Sequence, residues 1–309
     1  MAPAPDGQAT PPPPPLRRPT SATRRENLHG ALYSVGASLG FTITSVMVKQ
    51  LGLIGIDAFQ TVFVRAFFGM AVIVPLMWAM DVAPWRTAHI GIHASRALLG
   101  GLSVLCGYYA FTKLHLAEVT VISFTVPLFV TVMAVLLLGE TVRWRRWSAT
   151  AVGFGGVLVV ARPFSGQIEL ATGLAVLMAL CIAVSVVLLK RFPKKESQLL
   201  MLFFFLLSSG VMAAWPGVAG WHDPDLSGWL LLAGVGFCGL GAQALIIRAF
   251  RIGDASFVAP FDYVRIIFAG AAGALMFAEI PDLWTYLGGL LIVGSTLYIA
   301  HREAVKKRV

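Results

Sequence analysis

The stretch 117-AEVTVISFTVPLFVTVMAVLLLGE-140 decides the class of fold. After Glu118 it runs through residues 119–139 without a charge. A helix of about 20 apolar residues crosses about 30 Å of hydrocarbon. The stretch also carries its own stop, because the arginines of 140-ETVRWRRW-147 belong at an aqueous face.

The same pattern recurs along the chain. Apolar runs occupy 30–48, 58–80, 89–111, 117–139, 147–162, 170–189, 198–219, 227–249, 255–278 and 283–300. The fifth is short. Of the 309 residues 57% are hydrophobic and 13% charged, and the mean hydropathy is +0.79. Soluble domains carry about 25% charged residues, so this chain cannot cover a soluble surface. The expected fold is all-α and integral to the membrane, with ten transmembrane helices. A net charge of +9 could suggest nucleic acid, but the cations lie between the apolar runs, as membrane topology requires. No nucleic-acid partner is expected.

Lys and Arg bias orients the spans. With the N-terminus inside, 18 cations fall on the cytoplasmic side and three, Lys49, Lys113 and Arg162, outside. Acids such as Asp57, Glu118, Glu169, Glu279 and Asp282 fall on the outer side. Both termini are therefore expected in the cytoplasm of a bacterial-type inner membrane. Residues 1–27, with 11-PPPPPLRRPT-20, read as a disordered cytoplasmic tail, and residues 304–309 as a basic one. Cys106, Cys181 and Cys238 sit in apolar runs as packing residues. Gly36-x-x-x-Gly40 suits close helix approach. His89, His93 and His115 lack metal-site spacing, and 222-HDPD-225 reads as a polar turn. No metal and no cofactor is expected.

The second half echoes the first. The stretch 110-AFTKLHLAEVTVISF-124 compares with 249-AFRIGDASFVAPFDY-263, with Lys113 falling on Arg251 and Ala117 on Ala255. One residue further on, 139-GETVRWRRW-147 meets 278-AEIPDLWTY-286, with Glu140 on Glu279. The halves are 28–165 and 166–303, each with five spans. An odd number of spans inverts the second unit relative to the first. Inverted repeats place a substrate site near the midplane between them.

Both units end in a Pro or Arg, an apolar run, Gly or Ala before Glu, and a Gly-rich helix. This resembles the EamA repeats of the drug/metabolite transporter superfamily. Residues 117–163 resemble the second half of a first EamA unit nearly position by position, and the likeness extends from Leu28 to Glu303. The stretches 63-FVRAFFG-69 and 93-HASRALLGG-101 are similar to the subgroup that includes S-adenosylmethionine-type and riboflavin-type importers. The resemblance implies transport of a small molecule by alternating access, and no enzyme activity.

Four charges lie deep in spans: Arg65, Arg96, Asp262 and Arg265. Arg265 sits about 15 Å into span nine, and Arg96 and Arg65 about 10 Å into spans three and two. Each charge at a helix centre costs at least about 2.5–3.5 kcal/mol. The register that sets Ala117 on Ala255 maps Asp262 onto Phe124 and Arg265 onto Pro127, so the charges are not duplicated. Two readings of Asp262 and Arg265 stand at this point. They form an intrahelical salt bridge that locks span nine, or they belong to a polar site. In the site reading Arg96, Arg265 and Arg65 bind an anionic group. Tyr109, Phe124 and Tyr263 stack on substrate, Gln243 hydrogen-bonds it, and Asp262 carries any coupled proton. Lys49, Lys113 and Glu118 would steer substrate at the outer mouth, while Glu140 and Glu279 hold the scaffold at the interfaces.

The expected function is a secondary transporter of an amino-acid derivative, a nucleoside- or flavin-like compound, or an organic acid. It would work in contact with membrane lipid, as a monomer or weak dimer, with protons an open coupling partner. A lipid-carrier flippase of the same fold, or a membrane enzyme acting on lipid, are the alternatives. No phosphate-binding Gly-x-x-x-x-Gly-Lys-Ser/Thr loop is present, so ATP does not drive it through such a loop.

Overall fold

The computed structural model describes residues 23–84, 87, 90–142, 144–162, 169–189 and 197–306, all helix and connection with no strand among them. The helices are α1 (Arg24–Leu53), α2 (Ala58–Ala79), α3 (Ile90–Lys113), α4 (Leu116–Ser123), α5 (Val126–Leu138), α6 (Trp144–Ala161), α7 (Leu170–Leu189), α8 (Gln198–Ala219), α9 (Leu226–Ile252), α10 (Ala255–Asp262), α11 (Val264–Phe277) and α12 (Leu283–Lys306). The ten expected spans thus appear as twelve helices, because spans four and nine are each broken in two. Among the described residues nine spans are long and apolar enough to cross a membrane. The tenth, α6, opens on Trp144, Arg145, Arg146 and Trp147, which leaves a shorter apolar part.

Local signals set the ends. Thr23 and Glu26 form a reciprocal cap. Glu26 N–H donates to Thr23 Oγ1, and Thr23 N–H donates to the Glu26 carboxylate at 2.7 Å. Helix therefore starts inside the stretch expected as tail. At the other end α12 continues through residues 304–306, also expected as tail. Residues 1–22 and 307–309, and His89, lie outside the described residues. Asp57 caps α2 by accepting from Gln60 N–H at 2.7 Å. Asp225 caps α9 by accepting from Gly228 N–H, also at 2.7 Å. That N–H and the Ser227 hydroxyl hold the Asp225 carboxyl below its usual range. The 222-HDPD-225 stretch is thus a capping turn, and Gln60 clamps it by bonding both the N–H and the carbonyl of His222.

Packing runs mainly between the two units. The most extensive pairings are α1 with α9, α3 with α7, α2 with α8 and α6 with α12. These pairs exchange into one another, or into themselves, when the fivefold span series of one unit replaces that of the other. Glycines allow the closest crossings. A Cβ on Gly156 would meet the Gly288 carbonyl at 2.8 Å, and one on Gly40 would meet Ala242 at 2.9 Å. The surface is apolar along the helices, and the described tryptophans cluster near helix ends. Trp78, Trp144, Trp215, Trp229 and Trp284 are all exposed there, as an interfacial belt requires.

The bundle has a near end and a far end. The near end holds the start of α1, where Asn27 bonds Asp254. The far end holds the α1–α2, α3–α4 and α11–α12 connections.

Candidate functional site

The broken spans position the site. Pro127 has no N–H, and its ring collides with the carbonyl four residues back, so a helix kinks or breaks beside it. α4 stops at Ser123 and α5 restarts at Val126. Between them Phe124 N–H donates to Val121 O at 3.1 Å and Thr125 N–H to Ile122 O at 3.0 Å. Span nine breaks at Tyr263, three residues beyond Pro260. Tyr263 N–H donates to Pro260 O at 3.3 Å, and the Ser38 hydroxyl reaches the Asp262 carbonyl at 3.4 Å. Freed backbone groups at membrane depth need partners of this kind.

α4 and α10 have the same length, eight residues. Counting from their starts, Phe124 is the counterpart of Tyr263, and Ser123 is the counterpart of Asp262. This corrects the register expected at that point by one residue, and the same offset carries the cap Gly139 onto the cap Ala278. The equivalent residues meet. The rings of Phe124 and Tyr263 lie 4.6 Å apart, and the Tyr263 hydroxyl shares a hydrogen bond with Thr296.

Arg265 sits at this junction. Its guanidinium carbon lies 4.8 Å from the ring centre of Phe124 and 5.6 Å from that of Phe41. Nη2 donates to Ser123 Oγ at 3.3 Å and lies 3.8 Å from Asp262 Oδ2. That separation is too long for a hydrogen bond. Asp262 instead accepts a 2.8 Å bond from Ser38 on Oδ1. Arg265 Nε is buried without a hydrogen-bond partner among the described residues. The intrahelical pair is therefore loose, with a donor and an acceptor both in reserve. The two side chains retain 22% and 25% exposure, so the patch can be reached. Two aromatic faces offset part of the cost of holding the cation here.

The structure thus brings together Asp262, Arg265, Phe124 and Tyr263, with Tyr109 packed against the same apolar cluster. Ser38, Phe41 and Ser123 complete the patch and were not foreseen. A signal existed in the sequence: Ser34, Ser38 and Thr42 recur every four residues and make a hydroxyl stripe along one side of an apolar span.

The other expected site residues lie apart. Arg65, on α2, faces the rings of Tyr108 at 5.6 Å and Phe205 at 5.5 Å. Arg96, on α3, keeps a buried Nε without a hydrogen-bond partner among the described residues, and its backbone carbonyl accepts from Ser185. Gln243 is half-buried on α9, and its side chain makes no hydrogen bond among the described residues.

Two expectations at the far end are corrected. Lys49 is buried rather than set at a mouth, and Glu279 is buried rather than interfacial. They form an ion pair with each other. Lys49 Nζ also donates to Leu114 O at 2.6 Å, and Leu116 N–H donates to Glu279 Oε2 at 3.0 Å. One pair thereby ties α1, the α3–α4 corner and the end of α11. Arg162 pairs with Asp282 nearby. A cavity of about 280 Å³ beside it is lined by residues including His115, Glu118, Arg162, Glu169 and Asp282, and a second of about 240 Å³ by residues including Ile56, His222 and Asp225. The lining residues of neither include Arg65, Arg96 or Arg265. No group of three or more metal-ligating side chains occurs among the described residues.

Known proteins share this plan. The chain is 29% identical over 276 residues to the S-adenosylmethionine uptake transporter of Rickettsia prowazekii (strain Madrid E), covering 89% of this chain and 94% of that one. It is 29% identical over 285 residues to the riboflavin transporter of Vibrio cholerae serotype O1 (strain ATCC 39315 / El Tor Inaba N16961), covering 91% and 96%. It is 30% identical over 280 residues to the pseudopaline exporter CntI of Pseudomonas aeruginosa (strain ATCC 15692 / DSM 22644 / CIP 104116 / JCM 14847 / LMG 12228 / 1C / PRS 101 / PAO1), covering 89% and 96%. A solved crystal structure superposes with a TM-score of 0.53 over 88% of this chain and 98% of its own at 17% identity, a likeness of fold. The EamA-like transporter family model matches twice, over residues 28–162 and 170–300, and this multi-pass membrane protein belongs to that family.

Proposed function

We propose that this protein moves a small polar or anionic metabolite across the bacterial inner membrane by alternating access. The observation that carries the reading is the meeting of two broken spans at Phe124 and Tyr263, with Arg265 and Asp262 at the contact. Discontinuous helices at the junction of inverted repeats are where secondary transporters hold their substrates. Arg265 offers a donor to an anionic group and Asp262 an acceptor to an ammonium or hydroxyl. Phe124 and Tyr263 offer faces to a planar ring. Arg65, Arg96, Tyr109 and Gln243 serve the same passage at other levels. The relatives named above carry S-adenosylmethionine, riboflavin and pseudopaline by their printed names, which favours a small organic solute.

In this reading both termini lie in the cytoplasm, and the near end of the bundle is the cytoplasmic end. The two units are 28–165 and 166–303, and Asp262 is the residue that would carry a coupled proton. Reconstitution in proteoliposomes tests the whole. Uptake of a solute that depends on an inward-acid pH gradient, and loses that dependence in Asp262→Asn, is the expected result. Uptake indifferent to the gradient removes proton coupling. Lipid scrambling without solute uptake replaces the reading with a flippase.

A further inference from the structure

Arg65 lies in surroundings of its own. α2 and α8 are both 22 residues long, beginning at 58 and 198, so Arg65 and Phe205 occupy the same position in the two units. They touch, with the guanidinium carbon 5.5 Å from the Phe205 ring centre. Contacts between equivalent residues form where the two units cross. Neighbouring contacts repeat the pattern: a Cβ on Gly69 would meet Leu206 at 2.8 Å, and one on Gly210 would meet Ala66 at 3.0 Å. Ala66 and Leu206 are again equivalent positions. Arg65 is therefore close to the axis that relates the units, and so near mid-depth. That is deeper than a count from the end of α2 alone places it.

Its chemistry is unbalanced. Tyr108 covers the cation at 5.6 Å, as Phe205 does at 5.5 Å. Gly239 leaves room beside Nε, since a Cβ there would stand 3.6 Å from Nε and 3.7 Å from Thr44. Nε and Nη1 are buried with no hydrogen-bond partner among the described residues. Arg65 forms no ion pair among the described residues. The interior acids are committed elsewhere: Asp262 bonds Ser38 beside Arg265, and Glu279 pairs with Lys49. Glu118 lines the far-end cavity with Arg162 and Glu169. Two aromatic faces attract a cation but cannot accept its N–H groups in the guanidinium plane. A buried cation with open donors is costly unless an acceptor arrives.

We propose that Arg65, flanked by Tyr108, Phe205 and Gly239, is an oxyanion-binding subsite separate from the junction at Arg265. It takes a carboxylate or phosphoryl group in the plane of the guanidinium while the rings hold that plane fixed. α1 runs past both subsites, its Phe41 facing Arg265 and its Thr44 lying beside Gly239. A substrate with two polar ends, or one passed from one arginine to the other, would use both. That use rests on the transport reading, but the oxyanion binding does not.

Equilibrium binding of radiolabelled succinate and of inorganic phosphate to purified protein in nanodiscs tests this. Saturable millimolar binding of at least one is expected, weakened about tenfold or more in Arg65→Gln and retained in Ser148→Ala, at the exposed start of α6. Succinate without phosphate identifies a carboxylate subsite, and phosphate without succinate a phosphoryl one. If Arg65→Gln does not fold, Arg65→Lys decides. It keeps the charge without the fork and is expected to bind several-fold more weakly. Wild-type protein that binds neither anion overturns the proposal. So does an Arg65 variant that binds as wild type does. Oxyanion binding lost in the variant, with no solute uptake by wild-type liposomes, leaves the subsite standing and removes the transport reading. Uptake and binding both unchanged in the variant do the reverse.

Discussion

The two broken spans, α4–α5 and α10–α11, share a frame and differ in content. Both open with an eight-residue helix, break at an aromatic residue, and end in a left-handed cap, at Gly139 (φ 65°) and Ala278 (φ 54°). α4 is packed inside the bundle, with Leu116, Val119, Val121 and Ile122 buried. Its last residue is Ser123, where α10 has Asp262, and α5 has Pro127 as its second residue, where α11 has Arg265. Duplication supplied the geometry of a helix break twice. The charges were placed in it once. At α2 and α8 the asymmetry is reversed, with Arg65 in the first unit against Phe205 in the second. Symmetric backbone with asymmetric side chains lets a site near the pseudo-twofold axis recognise a substrate that has no symmetry itself.

The largest expected effect concerns what holds the second broken span. Glu279→Ala leaves Lys49 buried with a backbone carbonyl but no counter-charge, at a cost of about 3–5 kcal/mol, read as lost thermal stability in detergent. A double change of Lys49 and Glu279 to Met and Leu should recover much of it, and no recovery would show that the pair acts separately. Next comes the break itself. Pro127→Ala lets α4 run toward α5 and carries Phe124 away from Arg265, with about a tenfold loss of ligand affinity, or about 1.4 kcal/mol. Pro260→Ala should cost less, because span nine breaks three residues beyond it; equal losses would void the distinction between the spans. Phe41→Leu removes one aromatic face from Arg265 and should weaken the site by about 0.5–2 kcal/mol in a ligand titration. The smallest pair lies at the caps. Ala278→Gly should stabilise by about 0.4–1 kcal/mol, and Gly139→Ala should destabilise by at least that much. The same sign at both caps in a thermal melt would mean that the caps are not equivalent.

Much of this was legible in the sequence because it depends on runs. Apolar length gives the spans, and an odd number in each half gives the inversion. The break at Pro127 was also written there, yet the apolar run Leu116–Leu138 reads as one helix when only hydropathy is counted. Partners distant in sequence were not legible. Ser38 and Asp262 are 224 residues apart, and nothing local in either announces the other. Lys49 and Glu279 each look like interfacial charges, because each sits at the end of a span. Only the packing of α11 against α1 turns them into a buried pair. Arg65 seemed shallow for a related reason. Depth was counted from the end of its own helix, whereas depth in an inverted repeat is set by where the two units cross.

The most direct test of the junction as substrate site is a thermal-shift screen of small metabolites on wild-type protein, repeated on Arg265→Ala. The expected result is a stabilising ligand whose shift is lost in Arg265→Ala, while that variant still melts cooperatively. A best ligand that stabilises Arg265→Ala as strongly as wild type would contradict the placement of substrate between the two broken spans.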